Sequence, residues 1–560
     1  MRRSSFALPL WLVWAIALVF VVAGLGNFAI LDNNEGLYAE IPREMLAAGN
    51  WRAWIIPHLN GLPYMEKPPL LYWLTALSFS VFGESEWSAR LVPAMSSLAC
   101  VAMLIRFGRR IGHEAEGRLA ALMFVTGIGV LAMSRVLMFD MLLTAFLTAA
   151  LLNTWLFLRE DRAGALRWAY AALACAVLTK GLVALVLYSL VILGTLLAGS
   201  GRPFWTSVRK LLDPLALLIF LALVVPWHIA ANIVEPVFAW FYFYNEHVLR
   251  FLGQRQPHDY YGGPWWYYLP RMAIYLFPWS FLLLLRLAPS VRQAAEPGLR
   301  RFMLMAWLLP LLFFSVSTAK ANYYLVAVMP FAAFHLALMF CQRDWENSRW
   351  RVAPALAIAL ACGLLAAVAL TREMPPRVAI LGLDERGFLI LLFAGAALLS
   401  ALLALLAWRR AAWGMPAMLL LSVWFAGGLG FALTSMEAFV STRGLATWLQ
   451  HQQPDRQVYL FRDFEKKSSL AYYLRQPVHV IDTVSADLHW GNRLRANDVM
   501  VTREQFLQVA ALKQVVVVVA DEHRPSFESW SAAREMAAVR RSGNVTVYVN
   551  RPVRSPKEDL

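Results

Sequence analysis

Charged residues make up only 16% of this chain, so those that gather beside long apolar runs are the first places to look for chemistry. The stretch Leu31 to Lys67 holds Asp32, Glu35, Glu40, Glu44, Glu66 and Lys67 directly after the first apolar run. Carboxylates beside a membrane segment are costly unless they face water, a metal or a substrate. The stretch therefore reads as an active-site loop on the outer face of a bilayer. Asp32 and Glu35 close the first apolar helix, and two readings are open for them: catalytic carboxylates, or caps for the following helix YAEIPREML. Tyr38, one turn beyond Glu35, lines the same pocket.

Glu66-Lys67-Pro68-Pro69 sets an anion and a cation at the foot of the next apolar stretch, and the prolines suit a first helical turn. The plain alternative is an interfacial salt bridge of little worth. The membrane boundary favours Lys67 as a ligand for a lipid phosphate, with Tyr64 nearby as a further substrate contact. Asp140, in SRVLMFDMLLTAF, lies at the mouth of an apolar helix, where an ionisable group is a site candidate by default and helix capping is the rival. Lys180, in LTKGL, marks a further junction as a substrate ligand or a snorkelling boundary residue.

In the aromatic loop that contains FAWFYFYNEHVLRF, Glu246, His247 and Arg250 fall within little more than one helical turn, so His247 and Arg250 share a face. Arg250 is a candidate phosphate ligand. His247 together with Glu66 offers two of the ligands that a divalent metal needs. Lys320, in STAKANYYL, starts another helix beside Tyr323 and Tyr324, either as a boundary anchor or as a third phosphate ligand.

The elements that must position these groups follow from composition. The chain has 560 residues, of which 59% are apolar and 13% aromatic, with mean hydropathy +0.53. A soluble protein carries about a quarter charged residues, so the class is a polytopic α-helical membrane protein. Its net charge of +15 sits in short Lys/Arg clusters between apolar runs, the pattern of basic cytoplasmic loops, and no nucleic-acid partner is expected. All four cysteines fall inside apolar runs without metal spacing and read as packing residues. The basic, apolar N-terminus resembles a signal peptide, but its long run lacks a small-residue cleavage site. A retained first helix with a cytoplasmic N-terminus is expected.

Fourteen apolar runs are long enough to be candidate spans: 8–28, 68–83, 88–108, 118–134, 137–158, 166–180, 181–199, 212–231, 267–287, 300–316, 321–341, 353–371, 387–408 and 414–435. If 68–83 crossed, Arg106, Arg109 and Arg110 would lie outside and every later basic loop would be inverted. Laid along the outer surface as a short amphipathic helix, it leaves about 13 spans with the basic clusters inside. The loops left outside, chiefly 29–87 and 232–266, then hold nearly all the candidate site residues. The expected domains are 1–436, a transmembrane domain, and 437–560, an outer α/β domain. In the latter VYLF, VHVI and QVVVVVAD read as strands, and SSLAYYLR and SWSAAREMAAVRR as helices. This tail reads as a lid without catalytic groups. No phosphate-binding glycine loop or nucleotide fingerprint is present, so no nucleotide cofactor is expected.

LDNNEGLYAEIPREMLAAG, LPYMEKPPLLYW, GESEWSARLVPA, VLMFDMLLTAF, LTKGL, NEHVLRF, PWWYYLP and STAKANYYLVAVMP, in this order, together resemble the bacterial lipid A aminoarabinose transferases. They also resemble the wider group of phospholipid-carrier-dependent glycosyltransferases related to protein O-mannosyltransferases. The resemblance implies a GT-C type glycosyltransferase fold with about 13 transmembrane helices, surface helices in the first outer loop and a small periplasmic α/β domain. It implies a multi-pass protein of the bacterial inner membrane that transfers a sugar, 4-amino-4-deoxy-L-arabinose or a relative, from undecaprenyl phosphate to lipid A. Another glycan or protein acceptor is the alternative. A monomer among membrane lipids is expected. By the same likeness Glu66 and His247 hold a divalent metal, zinc, while Lys67, Arg250 and Tyr324 contact the carrier phosphate and Asp140 lies near the reacting groups. In one departure, the acid expected directly before Glu35 is Asn34. An amide cannot serve as a base, so Asp32 or Glu35 is expected to take that part.

A lipid or sugar flippase is the rival from another class. It calls for charges near mid-membrane and paired repeats with broken helices, whereas here the charges gather at one face. A bare membrane anchor needs no carboxylates at helix mouths.

Overall fold

The structure is a computed structural model that describes residues 8–199, 203–257, 262–287, 296–341, 352–373, 377–409, 414–530 and 535–550. The basic cluster at 343–351, and residues 288–295 of that at 286–301, lie outside the described residues. Among the described residues eight helices are long and apolar enough to cross a membrane, or nine if one bent pair counts as a single span. The protein is thus a multi-span helical membrane protein, with fewer long straight spans than expected.

The differences are local. The run 118–134 forms Glu114–Thr126 and Ile128–Ser134, bent by 69° at Gly127, where a Cβ would stand 2.8 Å from the Tyr275 carbonyl. The run 267–287 divides into the helix Tyr268–Tyr275 and a 3-10 segment, Trp279–Leu287. The run 68–83 forms Leu70–Phe82, 13 residues ended by Gly83 at φ 78°. At 1.5 Å per residue that is about 20 Å, too short for a hydrocarbon core of about 30 Å.

Burial separates the spans by position. Only 11% of the apolar window of Pro214–Val234 is buried, against 83% for Phe139–Glu160. The first is therefore a peripheral helix and the second a central one, and it is the central helix that carries Asp140 in its first turn.

After Ser435 the chain forms a sheet domain of strands β3 (Gln457–Phe461), β4 (His479–Ile481), β5 (Met500–Val501), β6 (Val515–Ala520), β7 (Met536–Ser542) and β8 (Val545–Asn550). A separate hairpin in the first loop pairs β1 (His58–Leu59) with β2 (Leu62–Pro63). The six-stranded order is β5-β4-β3-β6-β8-β7, parallel from β5 to β6 and antiparallel beyond. Every residue of β6, VVVVVA, is buried, as a strand covered on both faces requires. Its alternation decides which core each side chain joins. Val516 and Val518 pack in the same cluster as the membrane helices, and Val515, Val517 and Val519 pack with Phe506 and Phe527 of the domain itself. The domain meets the membrane part chiefly through the helix Ser469–Leu474, which packs on Asn34–Ala47 of the first loop.

One expectation in this region is corrected. MAAVRR, read as helical, is strand β7, paired with β8 across a turn at Gly543, φ 56°. Alanine and arginine favour a helix, but the β-branched partner VTVYVN supplies a ladder that overrides that weak local preference.

Candidate active site

A cavity of about 530 Å³ opens where the two long loops, three helix ends and the sheet domain meet. Its polar part is lined by Asn34, Tyr38, Glu66 and Lys67 from the first loop, and by Glu246, His247, Arg250 and Arg255 from the second. Asp140, Lys180, Tyr323, Tyr324 and Asp487 complete it, and Val183, Val186, Val248, Phe251, Leu252, Phe313 and Phe314 form an apolar side.

Asp140 and Lys180 stand at facing helix ends and form an ion pair whose side chains are 3% and 13% exposed. The second carboxylate oxygen of Asp140, Oδ2, is buried with no hydrogen-bond partner among the described residues. Lys180 Nζ also lies 5.2 Å and 4.6 Å from the ring centres of Tyr323 and Tyr324, close enough for cation–π attraction. The ammonium is thereby held at the wall between an anion and two π faces.

Lys67, Glu66, Glu246, Arg250 and Arg255 form one charged cluster. Arg255 donates from Nη2 to Glu66 Oε1 at 2.5 Å and from Nε to Glu246 Oε1. Arg250 Nη1 donates to Glu246 Oε2 at 3.0 Å, and Lys67 Nζ lies 3.7 Å from Glu66 and 3.8 Å from Glu246. Burial alone would raise the Glu246 carboxyl, but Arg255, Arg250 and Lys67 pull it down to about 2. The segment Trp240–Leu249 is a π-helix rather than the α-helix expected. Such wide turns are rare and recur at functional sites.

Asp32 and Glu35, read above as catalytic carboxylates, do not line the cavity, and that reading is corrected. Glu35 is 1% exposed and accepts from Arg90 at 2.8 and 2.9 Å and from the Leu31 and Leu137 amides. It pins the first loop to its neighbouring helices. Asp32 instead faces the sheet domain, where it accepts from Ser469 Oγ at 2.7 Å and Lys467 Nζ at 3.2 Å. Asn33 at φ 63° separates them, so Asp32 and Asn34 face opposite ways. Tyr38 Oη lies 3.5 Å from Asn34 Oδ1 in the cavity wall.

Two more residues fall outside the lining. Tyr64 is 2% exposed and donates to Glu66 Oε2 at 3.4 Å. Lys320, expected as a boundary anchor or a phosphate ligand, donates to the carbonyls of Ser315, at 3.0 Å, and Ser317. It closes the C-terminal end of the helix Pro297–Val316, where cations are favoured.

Glu66 and His247 both reach the cavity, but they do not fit a divalent metal. His247 Nε2 accepts from the Leu182 amide at 3.1 Å, so Nδ1 carries the proton and donates to the Tyr242 carbonyl at 2.6 Å. Both ring nitrogens are thus engaged, whereas a ligand needs one free lone pair. Glu66 is committed to Arg255, Lys67 and Tyr64. On the sheet domain Asp463, Glu522 and His523 lie close together. Lys466 Nζ already bridges that group, 2.8 Å from Asp463 and 2.7 Å from Glu522.

Sequence reasoning missed Arg255 and Asp487. Arg255 sits in an irregular loop with no periodic signal. Asp487 belongs to the tail that was expected to carry no site residue, yet it lines the cavity. Burial, with Glu66 and Glu465 close by, holds its carboxyl well above the usual range.

A bundle of membrane helices capped by an α/β domain over a charged cavity with an apolar flank is the GT-C class of membrane fold. Two crystal structures share it: ArnT from Cupriavidus metallidurans bound to undecaprenyl phosphate (TM-score 0.78, 22% identity, 97% of this chain and 98% of that one) and the same protein in the apo state (TM-score 0.78, 23% identity, 97% of each). The family described as dolichyl-phosphate-mannose-protein mannosyltransferase matches residues 66–229. An undecaprenyl phosphate-alpha-4-amino-4-deoxy-L-arabinose arabinosyl transferase of Pseudomonas aeruginosa (strain LESB58) is 34% identical over 343 residues, 59% of either chain. Its counterpart in Aeromonas salmonicida is 29% identical over 534 residues, 90% of this chain and 91% of that one. The first of these matches, like that to Pseudomonas fluorescens, spans 59% of the relative's length. The chain thus shares the fold of the ArnT structures and is similar, over part or most of its length, to these arabinosyl transferases.

Proposed function

We propose that the protein transfers a sugar, 4-amino-4-deoxy-L-arabinose or a close relative, from undecaprenyl phosphate to lipid A at the periplasmic face of the inner membrane. The observation that carries this reading is the make-up of one cavity, whose lining joins the cations Lys67, Lys180 and Arg250 to the apolar side chains of Val183, Val186, Phe251 and Phe313. A phosphate joined to a long hydrocarbon matches both kinds of lining. The basic clusters between the apolar runs support a cytoplasmic N-terminus and a sheet domain on the outer side.

In the transfer an acceptor oxygen attacks the anomeric carbon, the bond from that carbon to the carrier phosphate oxygen breaks, and configuration inverts. Negative charge develops on the departing phosphate, so cations already in place at Lys67 and Arg250 stabilise the transition state. Asn34 offers no base in the wall of the cavity. An acceptor that is already ionised, such as a lipid A phosphate, needs none. Asp140 Oδ2 is an acceptor available to a sugar hydroxyl or ammonium. No step runs through a metal, because Glu66 and His247 have no ligand atoms to spare.

Purified protein given undecaprenyl-phosphate-linked aminoarabinose and lipid A should yield lipid A heavier by one sugar in mass spectrometry, with release of undecaprenyl phosphate. Donor left intact in the presence of lipid A would refute the reading. A glycan or peptide acceptor, offered in parallel, tests the alternative.

A further inference from the structure

Glu66 and Glu246 come from different loops, and both are buried, 9% and 5% exposed. Two carboxylates turned into one buried cluster repel each other and attract every cation nearby. Apart from Arg255, the cations that pair with them on the cavity wall are Lys67 and Arg250. With only those two, the cluster would be neutral, and each would be spent on a carboxylate. Arg255, with 4% of its side chain exposed, changes that balance. Its planar fork donates to Oε1 of both acids at once, from Nη2 to Glu66 and from Nε to Glu246, two nitrogens held at a fixed spacing by the guanidinium plane.

The loop that carries Arg255 is itself held from two sides. Asn245 exchanges two hydrogen bonds of 2.9 Å with Gln256, and Trp490 of the sheet domain donates to the Gln256 carbonyl at 2.8 Å. We propose that Arg255 is a positioning residue, a built-in cation that neutralises Glu66 and Glu246 where the family resemblance implied a metal, and so leaves Lys67 and Arg250 to bind the carrier phosphate. This rests on the carrier-phosphate reading above. Three cations against two anions leave one surplus positive charge in the cluster, which an incoming phosphate would neutralise.

The test is binding of undecaprenyl phosphate to detergent-purified protein, followed by native mass spectrometry, with thermal unfolding as the control for folding. Arg255→Met is expected to weaken binding by roughly tenfold or more, because each freed carboxylate draws in a phosphate-binding cation. Glu66→Gln combined with Arg255→Met removes one charge of each sign and is expected to recover most of that loss. Arg255→Lys should fall between. Treatment of the wild-type protein with EDTA, with or without added zinc, should leave binding unchanged.

Wild-type affinity in folded Arg255→Met, or a double variant no better than the single one, would overturn the proposal. So would zinc-dependent binding by the wild-type protein. If Arg255→Met does not fold, the double variant decides: a folded binder supports the proposal, and failure to fold or bind defeats it. A wild-type protein that ignores undecaprenyl phosphate would instead defeat the carrier reading itself.

Discussion

Lys467 Nζ lies 3.2 Å from Asp32 Oδ2, joining residues 435 apart in sequence in an ion pair with both side chains only 4% exposed. This contact ties the sheet domain to the first loop. It is reinforced by Asn60, whose side chain exchanges hydrogen bonds of 2.9 and 2.7 Å with the backbone of Val478. Breaking a buried pair from one side strands the other charge, at a cost of about 3–5 kcal/mol. Lys467→Met should therefore lower the melting temperature and speed proteolysis after residue 436. Lys467→Met with Asp32→Asn should be milder than the single change. Equal loss in both would show that the charge pair is not what holds the domain.

The cations of the cavity should separate by role. Lys67→Ala and Arg250→Ala are each expected to raise the dissociation constant for undecaprenyl phosphate by about 10- to 100-fold, the range of a lost charged hydrogen bond. Lys320→Met should leave that affinity near wild type and instead cost stability of about 1–3 kcal/mol, since its ammonium serves two helix-end carbonyls. Loss of binding in Lys320→Met would restore it as a phosphate ligand.

Asp140→Asn keeps the shape and removes the charge beside Lys180. Turnover is expected to fall by about 10²-fold or more, with the fold retained in size-exclusion chromatography. A variant of normal rate would remove Asp140 from the reaction.

The folded protein holds a proton on Asp487 more tightly than the unfolded chain does, because burial comes first and Glu66 and Glu465 add to it. The resulting stability is fully present below the ordinary aspartate value, about 3.9, and is lost as pH rises through the higher folded value. Asp487→Asn, neutral at every pH, should melt above wild type at pH 8, with the gain vanishing near pH 4. A gain that is the same at both pH values would contradict the assignment.

Gly181 joins two helices at φ 84°, and a Cβ there would lie 2.6 Å from His247 Nε2 and 2.7 Å from Tyr242 Oη. Gly181→Ala combines backbone strain of about 1–3 kcal/mol with a displaced His247. It should lower turnover by about tenfold or more, while the remote Gly164→Ala, with open space around its Cβ, should not. Matching rates for the two would show that the close approach has no bearing on the site.

How much of this was legible in the chain depends on how local each cause is. Apolar length and scarce charge determine a multi-span helical protein, since a backbone in lipid must satisfy its own hydrogen bonds. The same scarcity singled out Glu66, Lys67, Asp140, Lys180, His247 and Arg250, all of which line one cavity. A charge beside an apolar run must be accounted for, and that demand can be read without a fold. The valine run of β6 likewise announced a strand.

Only the tertiary structure decided which acids face the cavity. Asp32, Asn34 and Glu35 stand within four residues, and which way each turns depends on Lys467 and Arg90, supplied from far along the chain. The same holds for Arg255 and Asp487, irregular-loop residues that periodicity cannot place, and for β7, whose helix-forming residues are made a strand by their partner β8. Side-chain partners across such separations are set by packing and long-range pairing, and no local pattern carries that information.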